Sequence, residues 1–218
     1  MMPSVLSQLF RRPPGSGWLV LSGNSLPENH IQRALALVDH AGSIVAVVPD
    51  SEDLPAAENA LLVWLDLSGW NGRSVDCGSP DVLEDALCEA AIVLLPDLAD
   101  ADTYSRALGQ TDAGEFLLAA LDAGAVLIAE GPAAEAMGEQ IEAPSDNRTG
   151  SPALRWIPGA IVQTHFSADQ PPPISLKRKE FFRIGLPEGV SIALGPGEER
   201  EIWGEGKPTI TFREWWKS

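Results

Sequence analysis

Up to Met137 the chain alternates between two textures: short unbroken apolar runs, and longer stretches in which apolar residues return every three or four positions. The first suits strands buried on both faces, the second amphipathic helices. Trp18 to Leu21 is such a run, Ser22-Gly23-Asn24 a turn, and Pro27 to Ala41 carries Ile31, Leu35 and Val38 at helical spacing. Gly42 ends that helix and Ser43 to Pro49 is a second buried strand, so residues 17–48 read as a βαβ unit with parallel strands. Asp50 to Asn59 is acidic with prolines and reads as loop, the apolar run Ala60 to Leu67 as a third strand, and Ser68 to Ser74 as a turn. A helix from Asp81 to Ala90 is opened by Ser79 and Pro80, and a fourth strand covers Ala91 to Leu95. After the acidic loop Asp97 to Thr103, one helix runs through Leu108 and another from Gly114 to Asp122. Gly124 stops the latter, and Ala125 to Ala129 is a fifth strand leading into Gly131.

Beyond Met137 the pattern changes. Glu142 to Pro152 is a polar excursion, Leu154 to Phe166 returns to the core, and Ala168 to Pro173 is a proline-rich loop. From Phe182 onward the chain breaks into short β pieces, Arg183 to Leu186, Val190 to Leu194, Arg200 to Trp203 and Thr209 to Phe212, with Gly and Pro turns between them. The expected organisation is an N-terminal extension over residues 1–16 and a single α/β domain over 17–218 that closes with hairpins on an edge or face of its sheet.

Composition narrows the function classes. A chain of 218 residues with 44% hydrophobic and 21% charged residues is long enough for a sizeable core. No transmembrane run is apparent. In VLSQLFRRPP the arginines follow a short apolar piece instead of preceding it, which is not the order of a signal peptide, so a cytoplasmic location is expected. Cys77 and Cys88, the only cysteines, suit a reducing compartment. Cys88 falls on the apolar face of a helical pattern with Leu83 and Leu87, which argues against a disulfide between the two. The net charge of -16 argues against a nucleic-acid surface, because phosphate binding needs clustered Lys and Arg. The one basic run, Lys177 to Lys179, reads as a solvated loop flank.

The stretch with the most chemical content is Ala119 to Met137, AALDAGAVLIAEGPAAEAM: a helix end, a buried strand, a Gly-Pro turn and a helix start. In α/β hydrolases a Gly-x-Ser-x-Gly turn between strand and helix lifts a serine out of the backbone. Laid on that pattern, Gly131, Pro132, Ala133, Ala134 and Glu135 put Ala133 at the nucleophile and Glu135 at the closing glycine.

Four stretches, WLVLSG, AVLIAEGPAAEAMG, IPGAIVQTHFS and IGLPEGVSIAL with EIWGEGKPTITF, resemble in order and spacing the cyanophycinase and dipeptidase E family of serine hydrolases. The resemblance implies a class I glutamine amidotransferase-like fold: three layers, α/β/α, with a mostly parallel central sheet, a flavodoxin-like core and C-terminal β-hairpins. It also implies a triad at Ala133, His165 and Glu188, and a pocket that includes Gly131, Pro132, Ala134, Glu135, Thr164, Asp97 and Asp100. A triad works as one unit, imidazole accepting the hydroxyl proton while a carboxylate orients the ring, and a methyl group cannot attack a carbonyl. Where the family has a glycine-rich loop with a glutamine after the fourth strand, this chain has Pro96-Asp97-Leu98-Ala99-Asp100-Ala101-Asp102; carboxylates crowded there oppose an oxyanion. Thr164 replaces the family's glutamine before the histidine, and Ala168, Asp169 and Gln170 replace its arginines. An engineered knockout would leave these neighbours intact, so natural loss of activity is expected.

Blander readings stand beside these. His165 is a surviving base or a hydrogen-bonded histidine at a strand end, and Glu188 a triad acid or a solvent-facing turn residue. Glu135 faces the helix dipole or fills the former substrate pocket, where it could bind a cationic group. Asp97, Asp100 and Asp102 have oxygen ligands for a hard cation but lack the glycine and distal glutamate of a calcium loop, so a solvated loop is expected and no metal or other cofactor. His30 and His40 read as surface or helix-end residues. Trp203, Trp215 and Trp216 mark an interface, consistent with a homodimer, or cap the core. Two functions follow: a non-catalytic relative that binds an unknown small ligand or protein partner, without nucleic acid or membrane, or an active amide hydrolase that uses Ser22, Ser167 or Ser191.

Overall fold

A computed structural model describes residues 11–142, 150–167 and 182–212. The basic run at Lys177, the loop from Ala168 to Pro173, most of the excursion from Glu142 to Pro152, and Trp215 and Trp216 lie outside these residues.

The elements in order are β1 (Trp18–Ser22), α1 (Glu28–Ala36), β2 (Ser43–Val48), α2 (Leu54–Ser68), β3 (Gly72–Asp76), α3 (Pro80–Cys88), β4 (Ala90–Leu95), α4 (Ala101–Gly109), α5 (Ala113–Asp122), β5 (Val126–Glu130) and α6 (Pro132–Ala136). They are followed by β6 (Gln140–Ile141), β7 (Ser151–Pro152), β8 (Ala160–Gln163), β9 (Phe182–Gly185), β10 (Ser191–Leu194), β11 (Arg200–Trp203) and β12 (Thr209–Phe212). The seven-stranded central sheet has the order β11-β10-β1-β5-β4-β2-β3. Strands β1 to β5 pair in parallel, while β10 joins β1 and β11 joins β10 antiparallel.

Alternation along the strands splits the core into two layers. Leu19, Leu21, Val45 and Val47 face a cluster with α3, α4, α5 and α6, whereas Val20, Ile44, Ala46 and Val48 face α1 and α2. The result is the expected three-layer α/β/α arrangement around a mostly parallel sheet. A small second sheet, β12-β9-β8, contributes Ala160, Val162, Phe182 and Ile184 to the first of these clusters.

Four expectations are corrected. Residues 60–67 are not a strand but the middle of α2, and the preceding loop is largely its first turns. Ala57, Leu61 and Trp64 are buried at helical spacing, Pro55 stands in the first turn, and Gly69 closes the helix with φ 69°. The unbroken apolar run concealed this period because α2 leaves Leu62 and Val63 exposed on its outer side. The supposed turn from Ser68 to Ser74 contains the start of β3, an edge strand in which only Val75 is buried, so it shows no apolar run. Cys88 is likewise exposed at the end of α3, while Cys77 is buried, and both thiols are free. At the N-terminus, Arg12 donates through Nε to the Gly195 carbonyl and Gly17 N–H to Leu121 O, so residues 12–17 lie against the sheet and α5. Among the described residues no helix is long and apolar enough to cross a membrane.

Candidate functional site

Strand β5 ends at Glu130 and α6 begins at Pro132, leaving Gly131 alone to turn the chain. It does so at φ 51° and ψ -126°, a conformation open to glycine and costly for a side-chain-bearing residue. Its N–H donates to Ser22 O at 3.1 Å, pinning the bend to the end of β1. The expected apex, Ala133, is corrected by this geometry. Pro132, with its fixed φ, has already started the helix, and Ala133 and Ala134 are wholly buried within it. The bend therefore comes two positions earlier than the Gly-x-Ser-x-Gly overlay places it.

The turn after β1 gathers the other site residues. Gly23 O accepts the His165 N–H at 3.3 Å, and Asn24 Oδ1 accepts the Gly189 N–H at 2.9 Å. A Cβ on Gly23 would lie 2.1 Å from Pro187 O, so only glycine allows the chain before Glu188 to come so close. His165 itself is held at φ 49°, a left-handed conformation that persists only where the surroundings over-determine it. Its Nδ1 lies 3.2 Å from Glu188 Oε1, and its Nε2 faces Asp97 Oδ2 at 3.8 Å. Imidazole thus stands between two carboxylates. Both ends are open to solvent, the His165 side chain being half exposed.

Asp97 lies over the bend. A Cβ built on Gly131 would fall 2.5 Å from both Cγ and Oδ2 of Asp97, so the carboxylate fills the volume a side chain at position 131 would need. Glu135 joins α6 to the His165 segment: its Oε1 accepts the Thr164 N–H at 2.9 Å and the Thr164 hydroxyl at 2.8 Å. Burial raises the Glu135 pKa against the opposing pull of these bonds. Asp100 has a different job, accepting the Thr103 N–H at 2.8 Å as the cap of α4. Asp102 follows it in the first turn of that helix. Among the described residues no cluster of three His, Cys, Asp or Glu side chains is arranged to hold a metal ion.

Among the described residues, no hydrogen bond joins the His165 side chain to any of the three serines considered as substitute nucleophiles. Ser22 and Ser191 are fully buried, with Ser191 Oγ 3.1 Å from Ser22 Oγ and 3.2 Å from His30 Nδ1; Ser167 is exposed. His30 is itself a correction, being 1% exposed instead of lying on the surface. It packs edge-on against Trp203, which is fully buried, and burial followed by the charge of Arg33 lowers its pKa. His40 is exposed beside Asp39 as expected.

Glu130 is the site residue that sequence patterning passes over. It is 3% exposed, accepts the Leu26 N–H at 2.8 Å, and its pKa is pushed up to about 7, mainly by burial. A carboxylate directly after a run of four apolar strand residues is the signal that could have found it.

No protein-family model and no curated protein matches the sequence. Among solved structures, the chain is similar to a peptidase from an acI-B1 actinobacterium, with TM-score 0.70, 14% identity, and 92% of this chain and 93% of that one covered. It is also similar to a peptidase E candidate from Listeria monocytogenes EGD-e, with TM-score 0.62, 13% identity, and 87% and 99% covered. The protein therefore has a peptidase E-like fold.

Proposed function

We propose that this protein is a non-catalytic homologue of the cyanophycinase and peptidase E-like serine peptidases, and that it uses the region around His165 to bind a small ligand or a protein partner. The observation that carries this reading is the chemistry of the bend. Gly131 supplies no nucleophile, and Asp97 occupies the space above it. The next residue is Pro132; in the elbow of α/β hydrolases the residue after the nucleophile donates its N–H to the oxyanion, and proline has none to give. If Ala133 is instead the counterpart of the serine, the nucleophile is still missing, since that residue carries a buried methyl group.

Both parts of acyl transfer, attack and oxyanion stabilisation, are thus missing at the place where His165 and Glu188 still meet. What persists is a solvent-open imidazole flanked by Asp97 and Glu188, an arrangement suited to hydrogen bonding and charge recognition. Treatment of the full chain with a fluorophosphonate probe tests the reading. It predicts no stoichiometric label on any serine, whereas labelling of Ser22, Ser167 or Ser191 would establish the active-hydrolase alternative instead.

A further inference from the structure

Glu188 also lines a cavity of about 520 Å³ between α1 and the turns that flank β10 and β11, a volume within the range of small-molecule sites. The turn after β11 reaches this cavity because residue 204 is glycine. At φ 99° a Cβ there would lie 2.0 Å from Gly189 O and 3.4 Å from His30 Cε1. From α1 come Asn29, His30 and Arg33, with Arg33 four residues after Asn29 and three after His30, so the three share one helix face. The two turns add the carboxylates of Glu188 and Glu205.

Several polar groups at this cavity are unmatched. Among the described residues the arginine ion pairs are those of Arg73, Arg155 and Arg183, and the exposed Arg33 has none. His30 Nε2 is buried with no hydrogen-bond partner. Ser191 Oγ donates to Ser22 Oγ and so accepts from His30 Nδ1, which leaves Nε2 as an acceptor on the neutral ring. No side chain caps the start of α1, so its first amides lack a side-chain acceptor.

We propose that this cavity binds a small zwitterion of the α-amino-acid type, its carboxylate on Arg33 and its ammonium among Glu188, Glu205 and His30 Nε2. A guanidinium takes a carboxylate through two parallel N–H···O bonds. Side chains on a helix lean toward its N-terminus, so the uncapped amides of α1 add to the pull of Arg33 on the same group. For the ammonium, Glu188 uses Oε1 on His165 Nδ1 and has Oε2 left, while Glu205 has no partner. An anion alone would meet two carboxylates and a cation alone would meet Arg33, whereas a zwitterion complements both. The site shares Glu188 with the His165 region and holds whether or not that region is catalytic.

The test is titration of the full chain with L-alanine up to about 50 mM, read from the backbone amide shifts of Gly189, Gly204 and Gly206. Propionate and ethylamine, each carrying one of the two charges, are titrated alongside. L-alanine is expected to shift all three amides saturably, with an affinity at least about tenfold above that of either half. Arg33→Ala and Glu205→Gln, both at exposed positions, should each weaken binding by about tenfold or more. His165→Asn should leave it within about twofold. The proposal fails if L-alanine gives no saturable shift at these amides, if propionate or ethylamine binds as well as L-alanine, or if either Arg33→Ala or Glu205→Gln binds like the wild type. Loss of binding in His165→Asn would also overturn it, by placing the ligand at the imidazole, and would leave the binding role of the His165 region standing.

Discussion

The Asp97 carboxylate and the bare α-carbon of Gly131 exclude each other's side chains: a Cβ at 131 would meet Asp97 Cγ at 2.5 Å. Gly131→Ser therefore has to displace Asp97 as well as adopt a positive φ. We expect it to lower stability by about 2 kcal/mol. In chemical denaturation, Asp97→Gly combined with Gly131→Ser should recover part of that loss, with a coupling of about 1 kcal/mol between neighbouring sites. Additive effects would show that the two positions do not compete.

The same pair tests which position, 131 or 133, can act as the counterpart of a serine nucleophile. Neither Gly131→Ser alone nor Ala133→Ser should react with a fluorophosphonate, the first because Asp97 and Pro132 remain, the second because residue 133 points into the core. The triple variant Asp97→Gly, Gly131→Ser, Pro132→Ala restores space, hydroxyl and amide donor together, and is expected to gain labelling. Labelling of Ala133→Ser would return the apex to position 133.

Glu130 makes stability depend on pH with a defined sign. Its pKa rises from an ordinary 4.5 to about 7 on folding, so its contribution is complete below pH 4.5 and is lost as pH rises through 7. At pH above 7 the folded protein carries the full cost of the buried charge, at most roughly 3 kcal/mol. Glu130→Gln should accordingly be more stable than the wild type at about pH 8. The gap should close at low pH. Thermal melts of both proteins across that range would show it, and parallel curves would exclude Glu130 as the titrating group.

Gly23→Ala tests the turn that holds the imidazole and its carboxylate partner in place. The new methyl would meet Pro187 O at 2.1 Å, and Gly23 O is the acceptor of the His165 N–H. We expect a loss of about 2 kcal/mol in denaturant unfolding, together with shifted ring resonances of His165. Unchanged resonances would mean that the turn does not position the histidine.

Trp203→Ala removes a fully buried indole packed on His30 at the end of β11. The expected cost is roughly 3–5 kcal/mol by calorimetry or denaturation. A cost below about 1 kcal/mol would place Trp203 outside the core.

Much of this architecture was readable from the residues in order. The unbroken apolar runs at β1, β2, β4 and β5 and the helical spacing between them dictate a parallel sheet covered on both faces, because strands buried on two sides must be apolar throughout. His165, Glu188 and Asp97 could be named as candidates because the resemblance to the cyanophycinase and dipeptidase E family carries a site onto those positions. Local pattern failed where burial was one-sided: α2 exposes Leu62 and Val63 and so resembles a strand, and β3, at the sheet edge, has too little apolar surface to resemble one. It failed again at the bend, where the same five residues admit an apex at 131 or 133. Only the fold decided between them, because the position of the turn depends on where β5 stops hydrogen-bonding to β1 and where Pro132 can begin a helix. The meeting of Asp97 with Gly131, and of Ser191 with His30, joins segments far apart in the chain, and such contacts exist only once the sheet has brought the strand ends together.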